Sequence, residues 1–380
     1  MMHPLHRRYT PLILFLAIII TVAHGFSARI SSSTTSHPPL ALVTGGTGRT
    51  GQVVTQLLLQ KGLGVRILAR NVTQAQQILE PLLTKLKENN DDDDDDDTPV
   101  LEFCQGDVGN ATAVQAAFVV KSTTTTTPVT HVVFCAGGDN ADYYAVNYRG
   151  VVHCAQQASQ DGSSVQQMVV ISTAWASKPY SIASLLFNTL FDTIPMACHF
   201  LGEEAVRQAS RDDCLPNYVI LRAGGLNSDE RYAEKYPNVD ATRLTYQQGD
   251  SFEFLGPAGR PGMCRTQLAH AVATAVNVPG RYTVEVTGSG PVDMDDATVY
   301  PQRLVQDDES NGAAKQYSEG EVFDIHQQAL VELRSVGMGA LIAGIALIAR
   351  WGWGQGLLAV VAVDAVLVGV WSQFYANRQT

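Results

Sequence analysis

Thr44-Gly45-Gly46-Thr47-Gly48-Arg49-Thr50-Gly51 follows directly on the apolar run Leu40-Ala41-Leu42-Val43, and this stretch constrains the fold most, because it sets a strand, a tight turn and a helix start together. Glycines at 45, 48 and 51 let the backbone turn sharply, bring N–H groups against a pyrophosphate, and pack the next helix closely on the strand. That helix spans Gln52 to Lys61, carries Val53, Val54, Leu57 and Leu58 on its inner side, and points its positive end at the phosphates. A second strand, Val65-Arg66-Ile67-Leu68-Ala69, arrives where a βαβ unit needs it. Gly45, Thr47, Gly48, Arg49, Thr50 and Gly51 are the expected cradle of a dinucleotide.

The end of the second strand separates the two nicotinamide cofactors. NAD(H) sites place a carboxylate there for the ribose 2′-hydroxyl, and NADP(H) sites place a cation for the 2′-phosphate. Arg70 occupies that position, and no Asp or Glu precedes Glu80. Arg49 can add a second guanidinium to the same phosphate. NADP(H) is therefore the expected cofactor, ahead of NAD(H).

Beyond this unit, helix-like and strand-like segments keep alternating. Helices are expected at Gln74–Lys87, Ala111–Val120 and Tyr144–Gln157, and strands at Val100–Cys104, His131–Cys135 and Gln167–Ser172. This pattern implies an α/β fold with a doubly wound parallel sheet. Asp91–Asp97 and Thr123–Thr127 fall between a helix and the next strand and read as loop insertions. With 45% hydrophobic residues the chain can fill a core, and its formal charge of −11 argues against a nucleic-acid partner. The six cysteines show no metal-ligand spacing; they read as free thiols, with no metal site expected.

The two ends carry a different composition. Arg7 and Arg8 precede an apolar stretch from Leu12 to Ala23, with small residues at Ala23 and Gly25, so residues 1–25 read as a signal peptide. Residues 26–38 begin at Phe26, are rich in Ser and Thr and lack acid, as a transit peptide does. Together they resemble the bipartite plastid presequence of algae with complex plastids, such as diatoms. At the other end, Val336–Ala349 and Leu357–Trp371 are apolar on all faces and are joined by Arg350-Trp351-Gly352-Trp353-Gly354-Gln355-Gly356. Residues 326–380 are expected to form a membrane-associated helical hairpin, with Asp364 paired or turned toward protein. The dinucleotide-binding domain is then 39–325, with a small C-terminal subdomain for substrate or partner from about 226.

Residues 40 to 290 resemble the short-chain dehydrogenase/reductase superfamily, and more closely its atypical, NmrA-like branch. The resemblance rests on the glycine turn, Gly106-Asp107-Val108, Cys135-Ala136-Gly137-Gly138 and Val146-Asn147-Tyr148-Arg149-Gly150. It also rests on Val169-Val170-Ile171-Ser172-Thr173, Gly202-Glu203-Glu204-Ala205-Val206-Arg207 and the segment from Tyr218 to Leu226. It implies that Asp107 and Val108 flank the adenine, that Ala136 and Gly137 pass the nicotinamide ribose, and that Ser172 lies nearest the nicotinamide. The superfamily's Tyr-x-x-x-Lys acid pair is absent, which leaves His199, Lys178 and Tyr180 beside Ser172 as candidate catalytic residues. Two readings follow: a reductase of a small lipophilic plastid substrate, or a non-catalytic NADP(H)-binding factor for assembly or regulation of a plastid membrane complex.

Overall fold

The structure is a computed structural model that describes residues 38–88, 100–119, 127–138, 142–190, 194–211, 214–235, 243–248, 262–288, 292–293, 304–307, 317–333 and 335. The expected presequence up to residue 37 and the apolar runs at 336–349 and 357–371 lie outside the described residues. No helix among the described residues is long and apolar enough to cross a membrane.

The first apolar run forms β1 (Leu40–Thr44), buried along its whole length, and the glycine turn leads into α1 (Arg49–Gln60). β2 (Gly64–Ala69), α2 (Val72–Glu88), β3 (Leu101–Gln105), α3 (Ala111–Val119) and β4 (Val129–Phe134) follow within a few residues of expectation. The next helix, α4, opens as a π-helical stretch at Tyr144–Gly150 and continues as α-helix over Val151–Ala158. After it come β5 (Gln167–Thr173), α5 (Ile182–Leu190), α6 (Pro195–Arg211) and β6 (Tyr218–Ala223). The remainder holds β7 (Leu226–Asn227), α7 (Asp229–Lys235), β8 (Arg243–Gln248), β9 (Met263–Cys264), α8 (Arg265–Ala275), β10 (Arg281–Gly288), β11 (Val292–Asp293) and a helix α9 over 319–333.

Among the described residues the main sheet runs β11-β8-β10-β6-β5-β4-β1-β2-β3. The run from β3 to β10 is parallel, and the order reverses between β1 and β4. Both faces are covered. Ala41, Val43, Val65, Ile67, Val133 and Val169 pack under α1, α2 and α8, while Leu40, Leu42, Leu68, Phe134, Met168 and Val170 pack under α3, α4 and α6. Burial on both sides explains why these strands read as mostly apolar runs rather than alternating ones. Arg66 breaks the run on β2 without cost to the layer: its Nε donates to Glu102 at 2.7 Å and its NH1 to the Ala117 carbonyl at 2.9 Å.

From about residue 226, where a small subdomain for substrate or partner is expected, the described elements continue the main sheet. β10 pairs in parallel with β6, β8 and β11 add antiparallel strands at that edge, and α8 buries Leu268, Ala271, Val272 and Ala275 against the sheet. Only β7 and β9 form a small sheet of their own. The boundary expected at 326 also falls inside α9. A capping box starts this helix: the Ser318 N–H donates to Glu321 Oε2 at 2.8 Å, and the Glu321 N–H donates to Ser318 Oγ at 3.3 Å. Val322 then packs with Ala197 and Leu201 of α6, and Ala329 and Leu330 pack with Leu185 of α5.

Candidate dinucleotide-binding site

The reversal of strand order between β1 and β4 leaves a crevice at the carboxyl ends of the strands, because the connections leave β1 and β4 toward opposite faces of the sheet. A cleft of about 380 Å³ occupies that place. Its lining brings together Gly45, Thr47, Gly48, Arg70, Asp107, Val108, Ala136 and Gly137. Arg49, Thr50 and Gly51 sit instead in the first turn of α1.

The glycine turn is as tight as its sequence demands. Gly45 has φ +70°, and a Cβ there would stand 2.6 Å from the Ala136 Cα. The Gly48 N–H closes the turn on the Gly45 carbonyl at 2.9 Å. A Cβ on Gly51 would overlap the Gly45 carbonyl oxygen, so α1 begins pressed against the turn. Gly48 is the N-cap of α1, no side chain caps that end, and the first turn holds no acid. The opening N–H groups are thus left for an anion.

Around this turn, Arg70 is exposed at the end of β2 and makes no ion pair among the described residues; neither does Arg49. Arg265, at the start of α8, is a third cation nearby: burial first, then the charge of Arg49, lowers its pKa. Nothing in the local sequence marked Arg265, because the packing of α8 beside α1 is what brings it there. Asp107 accepts the Gly109 N–H at 2.8 Å, which fixes the turn after β3. Asn110 caps α3 by accepting from the N–H groups of Thr112 at 3.0 Å and Ala113 at 3.2 Å. Cys135 also lines the cleft, and burial pushes its thiol pKa up to about 12, so it stays protonated.

The far wall is held by Asn147, which sits in the π-helical opening of α4. Its Oδ1 accepts the Gly138 N–H at 2.8 Å, which turns its amide nitrogen toward His199 Nε2 at 3.0 Å. His199 Nε2 is therefore the acceptor. Burial lowers the His199 pKa to about 4 against the opposing pull of Glu203, so the ring is neutral near pH 7. Gly202 permits this contact between helices, since a Cβ there would come 2.6 Å from the Asn147 carbonyl oxygen.

The four candidate catalytic residues are not among the side chains lining the cleft. Ser172, 4% exposed, donates its hydroxyl proton to Glu203 at 2.6 Å. Glu203 in turn accepts from Arg222 Nε at 2.9 Å and from Arg207 at 3.0 Å. Burial alone would raise the Glu203 pKa, but Arg222 and Arg207 outweigh it and hold the carboxyl down to about 2. Arg207 also reaches Glu204 and Thr283, and Asp307 accepts the Tyr218 hydroxyl at 2.9 Å. Lys178 and Tyr180 stand in the loop after β5, where Trp175 takes a positive φ of 66° and its carbonyl accepts Ser184 Oγ at 2.7 Å. Tyr180 packs with Leu185 and Ala329.

The cleft fits a dinucleotide by its shape and donors: a backbone cradle that a Cβ would fill, an uncapped helix start, and an Arg70 with no ion pair among the described residues at the strand end that faces the adenosine ribose in such folds. These features define a Rossmann-type, dinucleotide-binding protein. A family profile described as NAD(P)H-binding matches residues 45–278, and the chain belongs to that NAD(P)H-binding family. Among solved structures it is similar to a protein described as an NAD-dependent epimerase/dehydratase from Bacillus halodurans, at 18% identity over 70% of this chain and 99% of that one, TM-score 0.48. It is also similar to the oxidoreductase ylbE of Lactococcus lactis, at 12% identity over 73% and 99%, TM-score 0.46. A third, the anaerobilin reductase ChuY of Escherichia coli O157:H7, is 16% identical over 67% and 98%, TM-score 0.42. No curated protein matches the sequence.

Proposed function

We propose that this protein is an NADP(H)-dependent reductase of the atypical, NmrA-like short-chain dehydrogenase type, acting on a small lipophilic acceptor in the plastid. The observation that carries the cofactor choice is Arg70, which lines the cleft at the end of β2 with no carboxylate paired to it among the described residues. In this reading the N–H groups of the glycine turn hold the diphosphate, Arg70 with Arg49 takes the 2′-phosphate, Asp107 and Val108 flank the adenine, and Ala136 to Gly138 border the nicotinamide ribose. A bound nicotinamide cofactor would supply hydride chemistry. The Ser172 hydroxyl is committed as a hydrogen-bond donor to Glu203 and His199 is neutral, so neither stands ready to protonate a carbonyl. An acceptor that delocalises the incoming electrons and draws its proton from solvent, such as a quinone or another conjugated system, matches this arrangement best.

The same commitment of Ser172 to Glu203 favours one second reading, a non-catalytic NADP(H)-binding factor for a plastid membrane complex. Calorimetric titration with NADPH and NADH, followed by NADPH oxidation assays against quinones, conjugated pigments and simple carbonyls, separates the two. Tight NADPH binding with turnover of a conjugated acceptor supports the reductase. Binding without turnover supports the second reading, and equal affinity for both cofactors removes the NADP(H) assignment. Plastid targeting rests on the Gly25-Phe26 junction and membrane attachment on the two apolar runs. A fluorescent fusion of residues 1–40 should enter a complex plastid and lose that address when Phe26 is replaced by Asp; secretion of the unmutated fusion would count against it.

A further inference from the structure

We propose that Glu319, on the first turn of α9, is a positioning residue for the dinucleotide cleft: by accepting the hydroxyls of both Tyr144 and Tyr148 it holds the π-helical opening of α4 in the register that forms the cleft wall. This rests on the cofactor reading above and adds a residue that acts on the cleft from outside it. One carboxylate takes both donors, Tyr144 on Oε1 at 2.8 Å and Tyr148 on Oε2 at 3.1 Å, across 175 and 171 residues of sequence. Both hydroxyls stay protonated and so remain donors: burial, then the charge of Glu319, pushes Tyr148 up to about 12, and the hydrogen bond to Glu319 raises Tyr144.

π-helical backbone is rare, and such turns within α-helices are frequent at functional sites. Here the stretch Tyr144–Gly150 is held from two sides. On the inner side Asn147, 6% exposed, accepts the Gly138 N–H and bonds His199. On the outer side the Tyr144 and Tyr148 rings meet edge to face, centroids 5.4 Å apart, and Phe323 of α9 lies 6.1 Å from Tyr144. Between the two holds, Ala145 and Val146 line the cleft; Tyr144, Tyr148 and Glu319 do not. Val151, Cys154 and Ala155 fix the rest of α4 under the sheet. A return to α-helical register would therefore turn residues 144–147 by about 100°, the rotation of one residue, and carry Asn147 away from Gly138. The two hydroxyls reach one carboxylate in the π register, so Glu319 favours it. Val322 packs with Ala197 and Leu201, which seats the start of α9 independently of the tyrosines. The hold is reciprocal: a dinucleotide that stabilises the cleft wall also tightens α9.

The test uses the full-length protein, calorimetric titration with NADPH and NADH well below the melting temperature, and amide hydrogen exchange. Glu319→Ala should weaken NADPH binding about fivefold, and so should the double variant Tyr144→Phe/Tyr148→Phe. Combining all three substitutions should cost no more than either alone, since both remove the same hold. Glu319→Gln keeps an acceptor oxygen and can donate to the second hydroxyl, so its affinity should stay within about twofold. In the unmutated protein, NADPH should slow amide exchange across residues 319–333. Full affinity in Glu319→Ala, with or without a lower melting temperature, overturns the assignment and leaves Glu319 a role in packing alone. So do losses that add in the combined variant, and so does exchange in α9 that is indifferent to NADPH. If the unmutated protein binds neither nucleotide, the cofactor reading itself fails and takes this assignment with it; if it binds and the variants bind equally, only this assignment fails.

Discussion

Single residues carry the site through two kinds of constraint, backbone shape and buried charge. Gly45 and Gly62 both have positive φ, +70° and +78°, but only Gly45 has backbone where a Cβ would go. Gly62→Ala should therefore cost about 1 kcal/mol, the strain of the left-handed backbone alone. Gly45→Ala adds a clash with Ala136 that must move the cleft wall, and should cost roughly 3 kcal/mol or more together with cofactor binding. Paired thermal melts and titrations of the two variants check this, and equal losses would refute it. Glu203 is fully buried between Arg222 and Arg207, so Glu203→Gln removes the buried negative charge that both guanidinium groups face. It should destabilise by about 3–5 kcal/mol in chemical denaturation. Arg70→Ala, by contrast, removes a surface side chain with no ion pair among the described residues, and should leave stability alone while narrowing the preference for NADPH over NADH by about tenfold. Titration of the variant with both cofactors reads that ratio directly.

At the scale of elements, α9 is the part whose role was least visible. It lies just before a strongly apolar stretch of sequence, yet its own Val322, Ala329 and Leu330 are buried against α5 and α6. His326 fixes it further: Asn188 donates to its Nδ1 at 3.1 Å, and Asn188 Oδ1 accepts the Met196 N–H at 3.3 Å. A chain ending after residue 335 should keep the melting temperature of the full-length protein and leave the membrane fraction, if the apolar runs are what hold it there. A chain ending after residue 316 uncovers Leu185, Ala197 and Leu201 and should lose several kcal/mol, at about 25 cal/mol per Å² of apolar surface exposed. Melts and carbonate extraction of the two truncations separate the packing role from attachment. If the shorter chain is as stable as the longer, α9 is not part of the fold's core.

For the molecule as a whole, buried ionisable groups set the acid limit of stability. Burial lowers His131, His199 and His326 from an ordinary 6.5 to about 4, and the two arginines hold Glu203 at about 2 rather than 4.5. In each case the unfolded chain takes up its proton first as pH falls, so stability drops with pH. The histidine contribution is complete above 6.5 and is lost as pH falls through 4; the Glu203 contribution is complete above 4.5 and is lost toward 2. Melting temperature should be flat above pH 7 and decline steadily below about 6.5. His326→Gln can keep both an acceptor for Asn188 and a donor, and it should make the decline between pH 6 and 4 shallower. A melting temperature that rises as pH falls below 6 would contradict the sign of this linkage.

The strands around the site were legible because each is a local pattern: a short, mostly apolar run bounded by turn residues has little choice once both faces of a sheet are covered. The glycine turn was legible for the same reason, since positive φ at Gly45 is a property of one residue and its neighbours, and so was the place of Arg70 at the end of β2. The partner of each polar side chain was not legible in that way. Ser172 meets Glu203 across 31 residues of sequence, and Asn147 meets His199 across 52, because α6 lies over the ends of β5 and α4. The placing of β8, β10 and β11 on the main sheet likewise follows from strand order. Periodicity in a sequence records which side chains leave water; which donor then faces which acceptor is decided only when the layers close.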